Sequence, residues 1–86
     1  MIIDFHRNFK KRYKKIPVKV RVQFDKRLLL FQNDSFHSLL GNHSLSGDRD
    51  GQWSINVTGD WRALYIWMDS KTVLFLDIDK HSNLYG

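Results

Sequence analysis

The chain has 86 residues, 42% of them apolar and 14% aromatic, with one proline and no cysteine. This composition argues for one packed domain over residues 1–86 and against disorder, and it excludes a disulfide scaffold or a thiolate metal centre. The net charge of +5 is uneven: residues 1–33 hold ten Lys/Arg against Asp4 and Asp25, a net of +8, and residues 34–86 hold four against seven acids, a net of −3.

In chain order, "MIIDF" reads as a possible short first strand at residues 1–5. It is too short for an export signal, and its cations follow the apolar stretch instead of preceding it. "HRNFKKRYKKI" predicts a helix over 6–16, with Phe5, Phe9, Tyr13 and Ile16 at helical spacing and Lys/Arg on the other faces. Pro17 cannot continue that helix but suits the first turn of a new one. From Val18 to Phe24 the residues alternate like a strand, yet Val20, Phe24, Leu28 and Phe31 fall on one helical stripe, which predicts a helix over 17–32. The two helices would form a basic helical hairpin.

Asp34 and Ser35 are candidate N-caps for a short turn, "SFHSLL", that Gly41 would terminate. "GNHSLSGDRDG" reads as loop. Three strands follow. "QWSINVT" alternates, "WRALYIWM" is apolar on both faces as a covered central strand would be, and "TVLFLDID" places Leu74, Leu76 and Ile78 opposite Val73, Phe75, Asp77 and Asp79. The fold class is therefore α+β, a helical pair packed on one face of a small antiparallel sheet. The aliphatic runs are far too short to span a bilayer, and with no cysteine the expected location is the cytoplasm.

This topology would gather polar groups from three places: His43 in the loop, Asn56, Asp60 and Arg62 at the hairpin, and Lys80, His81 and Tyr85 at the end. The basic first half points to a polyanionic partner, nucleic acid before others. Such a set suits RNA cleavage, in which a 2′-hydroxyl loses a proton and attacks the adjacent phosphorus while the 5′-oxygen gains one. Histidine exchanges protons near neutrality, a guanidinium binds phosphoryl oxygens, and aromatic rings stack unpaired bases. Each group also has a structural reading. Asp60 would be a turn aspartate, Arg62 would pair with Asp77 across the strands, and Trp61 and Tyr85 would belong to the core. Asp77 and Asp79 lack a companion at ligand spacing, so no metal is expected.

"NHSLSGDRDGQWSINVTGDWRALY" followed by "DIDKHSNLY" resembles the RelE/ParE toxin superfamily, in particular its YafQ-like branch, over nearly the whole chain. The resemblance implies a RelE-like fold and a type II toxin that cleaves mRNA on the ribosome, without a cofactor, and is held inactive by a cognate antitoxin with an acidic segment. It implies catalytic roles for His43, Asp60, His81 as general acid, and Arg62 at the phosphate. It implies substrate contacts for Asn56, Trp61, Lys80 and Tyr85. Two positions depart from the branch pattern: Asn56 stands where histidine is frequent, and Asp79 where glycine is. Asparagine cannot carry the proton, which moves the base role to His43 or Asp60. The alternatives are a ParE-like gyrase inhibitor that works by binding alone, and an attenuated toxin that mainly binds RNA or its antitoxin.

Overall fold

Val20, Phe24 and Phe31 are buried along one face of a helix, Val18–Asn33, as their spacing predicts. In the computed structural model, which describes residues 1–85, the elements are β1 (Ile2–Phe5), α1 (Arg7–Tyr13), α2 (Val18–Asn33), β2 (His43–Ser44), β3 (Trp53–Asn56), β4 (Trp61–Trp67), β5 (Thr72–Lys80) and α3 (His81–Tyr85). Two 3-10 turns, Ser38–Leu40 and Gly47–Arg49, flank β2.

The sheet is mixed, in the order β1-β5-β4-β3-β2. The antiparallel expectation holds for β3 to β5, β2 adds to them antiparallel, and β1 runs parallel to β5, from Ile2 opposite Thr72 to Phe5 opposite Phe75. A parallel neighbour needs a long crossover, and here the two helices and the first three antiparallel strands lie between the partners. The helices cover one face, where Phe9, Phe24, Phe31, Ile55, Tyr65 and Phe75 belong to one buried cluster.

Helix α1 stops at Tyr13, not at residue 16. Pro17 supplies no amide proton and disfavours helical backbone at the residue before it, so Ile16 is buried from outside the helix. Lys10, Lys11 and Arg12 occupy the last turn, where the helix dipole favours cations.

In β4, Ala63, Leu64 and Tyr65 are all fully buried, as expected of a central strand. Ala63 and Tyr65 join the main cluster, while Leu64 and Leu84 are the buried apolar residues outside it, among those described. The predicted faces of β5 need correction. Tyr65 pairs with Phe75 and Ala63 with Ile78, leaving Leu76 as an extra residue. This bulge lets Val73, Phe75 and Ile78 all enter one core, which strict alternation forbids.

The loop also differs from expectation. His43 and Ser44 form a two-residue strand opposite Ser54 and Trp53. The turn Ser38–Leu40 is capped by His37, whose Nδ1 accepts from the Leu39 amide at 3.1 Å, and not by Asp34 or Ser35. Gly41 ends it at φ +51°, as the sequence suggests. No described helix is long and apolar enough to cross a membrane.

Candidate functional site

The β3–β4 turn organises itself through Thr58. Its Oγ1 accepts from the amides of Asp60 (3.2 Å) and Trp61 (3.1 Å), a serine/threonine turn that substitutes for missing ladder bonds. Arg62 completes the turn. Its Nη1 donates to the carbonyls of Thr58 (2.9 Å), Gly59 (3.2 Å) and Trp61 (3.0 Å). A guanidinium has five N–H donors. The protons on Nε and Nη2 take part in no hydrogen bond among the described residues, and the side chain lines two adjoining cavities.

The ion pair between Arg62 and Asp77 does not form. Asp77 instead meets Arg12 Nε at 3.1 Å, and Asp79 meets Arg12 Nη1 at 2.6 Å. Asp79 Oδ1 also accepts from the Lys80 amide (2.8 Å) and from Asn83 Nδ2 (3.0 Å). One buried carboxylate thus ties α1, β5 and α3 together, and its charge is balanced by arginine.

His81 opens α3 beside the hairpin. Its amide donates to the Asp60 carbonyl at 2.7 Å. One helical turn on, the Tyr85 ring lies 4.6 Å from the His81 ring, the contact expected at i, i+4. Tyr85 Oη bonds Ser54 Oγ at 2.7 Å, and Arg49 Nε donates to the Leu84 carbonyl at 3.1 Å. Short as it is, α3 is therefore anchored at its end as well as its start.

His43 reaches the same place from β2. Its Nδ1 lies 2.8 Å from the Gly41 carbonyl. A carbonyl only accepts, so Nδ1 carries a proton, and in the neutral ring the lone pair is on Nε2. The neighbouring Asn42 holds this segment down: its Nδ2 donates to the Ser35 carbonyl and its Oδ1 accepts from Tyr65 Oη, both at 2.8 Å. Burial pushes the Tyr65 phenol up to about 12, so the donor stays protonated. Glycine at 41 suits its backbone, and an added Cβ would also force the end of the Asn56 side chain to shift. The backbone is left-handed there, and a Cβ would stand 2.5 Å from Asn56 Nδ2.

The resulting cleft, about 540 Å³, is lined by His43, Asn56, Arg62, His81 and Tyr85 with Gly41 and residues 44–46. A second cavity of about 410 Å³ shares Arg62 and His81 and adds Asp60 and Lys80. Seven of the eight sequence candidates therefore come together. Trp61 is the exception: it is half-buried, packs against the main core, and lines neither cavity. A third, more apolar hollow between α1 and α2, about 400 Å³, is walled by Phe9, Tyr13 and Phe24 with Lys10, Lys14 and Asp25, and holds none of the sequence candidates. No cluster of three or more metal-ligating side chains occurs among the described residues.

Sequence reasoning missed Arg12, Asn42, Ser54 and Asn83. These hold the site from behind: Asn42 and Asn83 lie inside the quoted motifs without being singled out, and no local motif marks Arg12. The only cue was the pair Asp77 and Asp79, which needed a cation from somewhere.

No family model and no curated protein sequence matches the chain. Solved structures do match it. YafQ from E. coli strain BL21(DE3) superposes with a TM-score of 0.81 at 19% identity, over 98% of this chain and 97% of that one. A YoeB/ParE toxin from Agrobacterium tumefaciens gives 0.76 at 16% identity, over 94% and 99%. YafQ in the E. coli DinJ-YafQ toxin-antitoxin complex gives 0.68 at 19% identity, over 98% and 96%. The chain thus has the fold of RelE/ParE superfamily toxins, at low sequence identity.

Proposed function

We propose that this chain is a type II toxin of the RelE/ParE superfamily that cuts mRNA on the ribosome. The observation that carries the reading is the meeting of His43, Arg62 and His81 around one open cleft, each from a different element. RNA strand transfer needs a base, an acid and a cation on the phosphate, and those are the three side-chain types present.

His43 Nε2, with its lone pair free, takes the proton of the ribose 2′-hydroxyl. O2′ forms a bond to the adjacent phosphorus, and the charge that grows on the phosphoryl oxygens is met by the Nε and Nη2 protons of Arg62. The phosphorus–O5′ bond then breaks as His81, as imidazolium, gives O5′ its proton. The products are a 2′,3′-cyclic phosphate and a 5′-hydroxyl. Asn56 donates to a hydroxyl or phosphoryl oxygen, Lys80 adds positive charge at the second cavity, and Tyr85 supplies an aromatic face for a base. Asp60 lines the second cavity with His81 and Lys80, and its backbone carbonyl accepts from the His81 amide.

Pairing of Asp79 with Arg12 supports the same reading, because a free carboxylate beside His81 would repel RNA. The basic surface of α1 and α2 suits ribosomal RNA in the cytoplasm, and an antitoxin with an acidic segment would complement it. The experiment is induced expression followed by primer extension on cellular mRNA. New 5′ ends and growth arrest, both lost in His81→Ala, are the expected result. Intact messenger together with inhibited DNA supercoiling would favour the gyrase-binding alternative instead.

A further inference from the structure

The cleft does not end at Tyr85. Beyond the ring lies another open cavity, about 560 Å³, lined by Ser46, Asp48, Arg49, Leu84 and Tyr85. Ser46 and Tyr85 line this cavity and the cleft of His43 and His81 alike, so the two adjoin.

The walls of the extension are fixed. Arg49 donates from Nε to the Leu84 carbonyl at 3.1 Å and from Nη1 to Gln52 Oε1 at 3.3 Å, which holds its guanidinium plane. Tyr85 is tethered through its hydroxyl to buried Ser54. Asp48 differs from both. It is exposed, and among the described residues its carboxylate takes part in no hydrogen bond and no ion pair.

A carboxylate repels phosphate and offers only acceptors, so the sugar–phosphate chain is disfavoured beside Asp48. A base edge with N–H groups is favoured there. Aromatic rings and guanidinium planes are the surfaces on which unpaired bases stack, leaving their Watson–Crick edges to be read. We propose that Ser46, Asp48, Arg49 and Tyr85 form a subsite for the base next to the cut, with Asp48 selecting guanine. Guanine alone presents two adjacent N–H donors, at N1 and N2, to the two carboxylate oxygens. Adenine and cytosine present one amino group beside an acceptor nitrogen. Uracil presents a single N–H between two carbonyls, so it ranks last. This inference rests on the endoribonuclease reading above and adds a base preference to it.

The test uses purified wild-type protein, Asp48→Asn and Asp48→Ala on ribosomes programmed with messengers randomised around the A site. The 5′ ends of the products are sequenced, and each variant is scored by its own ratio of cuts at guanine to cuts at uracil. Wild type should favour guanine at one flanking position by about tenfold. Both variants should bring that ratio close to one while leaving preferences at other positions in place. An unchanged ratio in the variants, or a wild type indifferent to the base there, overturns the subsite and leaves RNA cleavage standing. A wild type that cuts no messenger overturns the cleavage reading and the subsite with it.

Discussion

The amide of His81 donates to the carbonyl of Asp60 across 2.7 Å, joining the first residue of α3 to the tip of the β3–β4 hairpin. That single bond spans the two segments that supply Arg62 and His81 to the cleft. Because a backbone amide makes it, the bond survives changes to either side chain. Substitutions at Asp60 and His81 therefore report on chemistry more than on folding.

Arg62 has two duties that lysine cannot combine. One nitrogen holds three turn carbonyls, the others take part in no hydrogen bond among the described residues, and the side chain lines the cleft. An ammonium is a point charge without the planar fork. Arg62→Lys should lower messenger cleavage by about a hundredfold or more and cost about 1 kcal/mol of stability. Single-turnover cleavage on ribosomes and thermal unfolding measure the two effects separately.

Gly41→Ala should destabilise the protein by about 1–3 kcal/mol, through a left-handed φ and a collision with Asn56. The two contributions separate in a double-mutant cycle. Asn56→Ala removes the collision but not the backbone strain, so the double variant should recover part of the loss and not all of it. Urea unfolding of the four proteins gives the coupling directly.

The Arg12 clamp is a stability element with a specific signature. Its two acids are mostly buried, at 16% and 12% side-chain exposure, while Arg12 is 45% exposed. Arg12→Gln strands both carboxylates and should cost about 1–3 kcal/mol, less than a fully buried pair because water still reaches the arginine. Adding Asp79→Asn should restore part of that loss at neutral pH, as melting temperatures of the single and double variants will show.

Tyr65 sets an alkaline limit. Its phenol moves from an ordinary 10 up to about 12 because burial disfavours the anion, so the folded state holds this proton more tightly than the unfolded state. The stabilisation is complete below pH 10 and is lost as pH rises toward 12, by about 2 kcal/mol. Tyr13 is raised in the same direction, by burial first and then by its bond to Asp25. Tyr65→Phe should be less stable at neutral pH, since Asn42 loses its donor, but should show a flatter decline above pH 10. Unfolding free energies measured from pH 7 to pH 12 check the slope.

Long periodic segments were the readable part of the fold. Val20, Phe24, Leu28 and Phe31 marked α2, and the hairpin turn marked β3 and β4, because local spacing dictates which side chains share a face. Features created by distant partners were not readable. A two-residue strand such as β2 has no periodicity, the bulge at Leu76 breaks the alternation that would reveal it, and the pairing of Arg12 with Asp77 and Asp79 spans most of the chain. At the site, the residue types were visible in "NHSLSG", "GDWR" and "KHSNLY", and their convergence depends on sheet order. Trp61 shows the limit of motif reading, since strand geometry directs it to the core although its neighbours line the cavities.

The most direct measurement combines purified protein, programmed ribosomes and end-group analysis of the cut messenger. Wild type should leave a 2′,3′-cyclic phosphate and a 5′-hydroxyl, and His81→Ala should cut at least about a hundredfold more slowly with an unchanged melting temperature. Uncut messenger with the wild type, or equal cutting by a folded His81→Ala, would contradict the account.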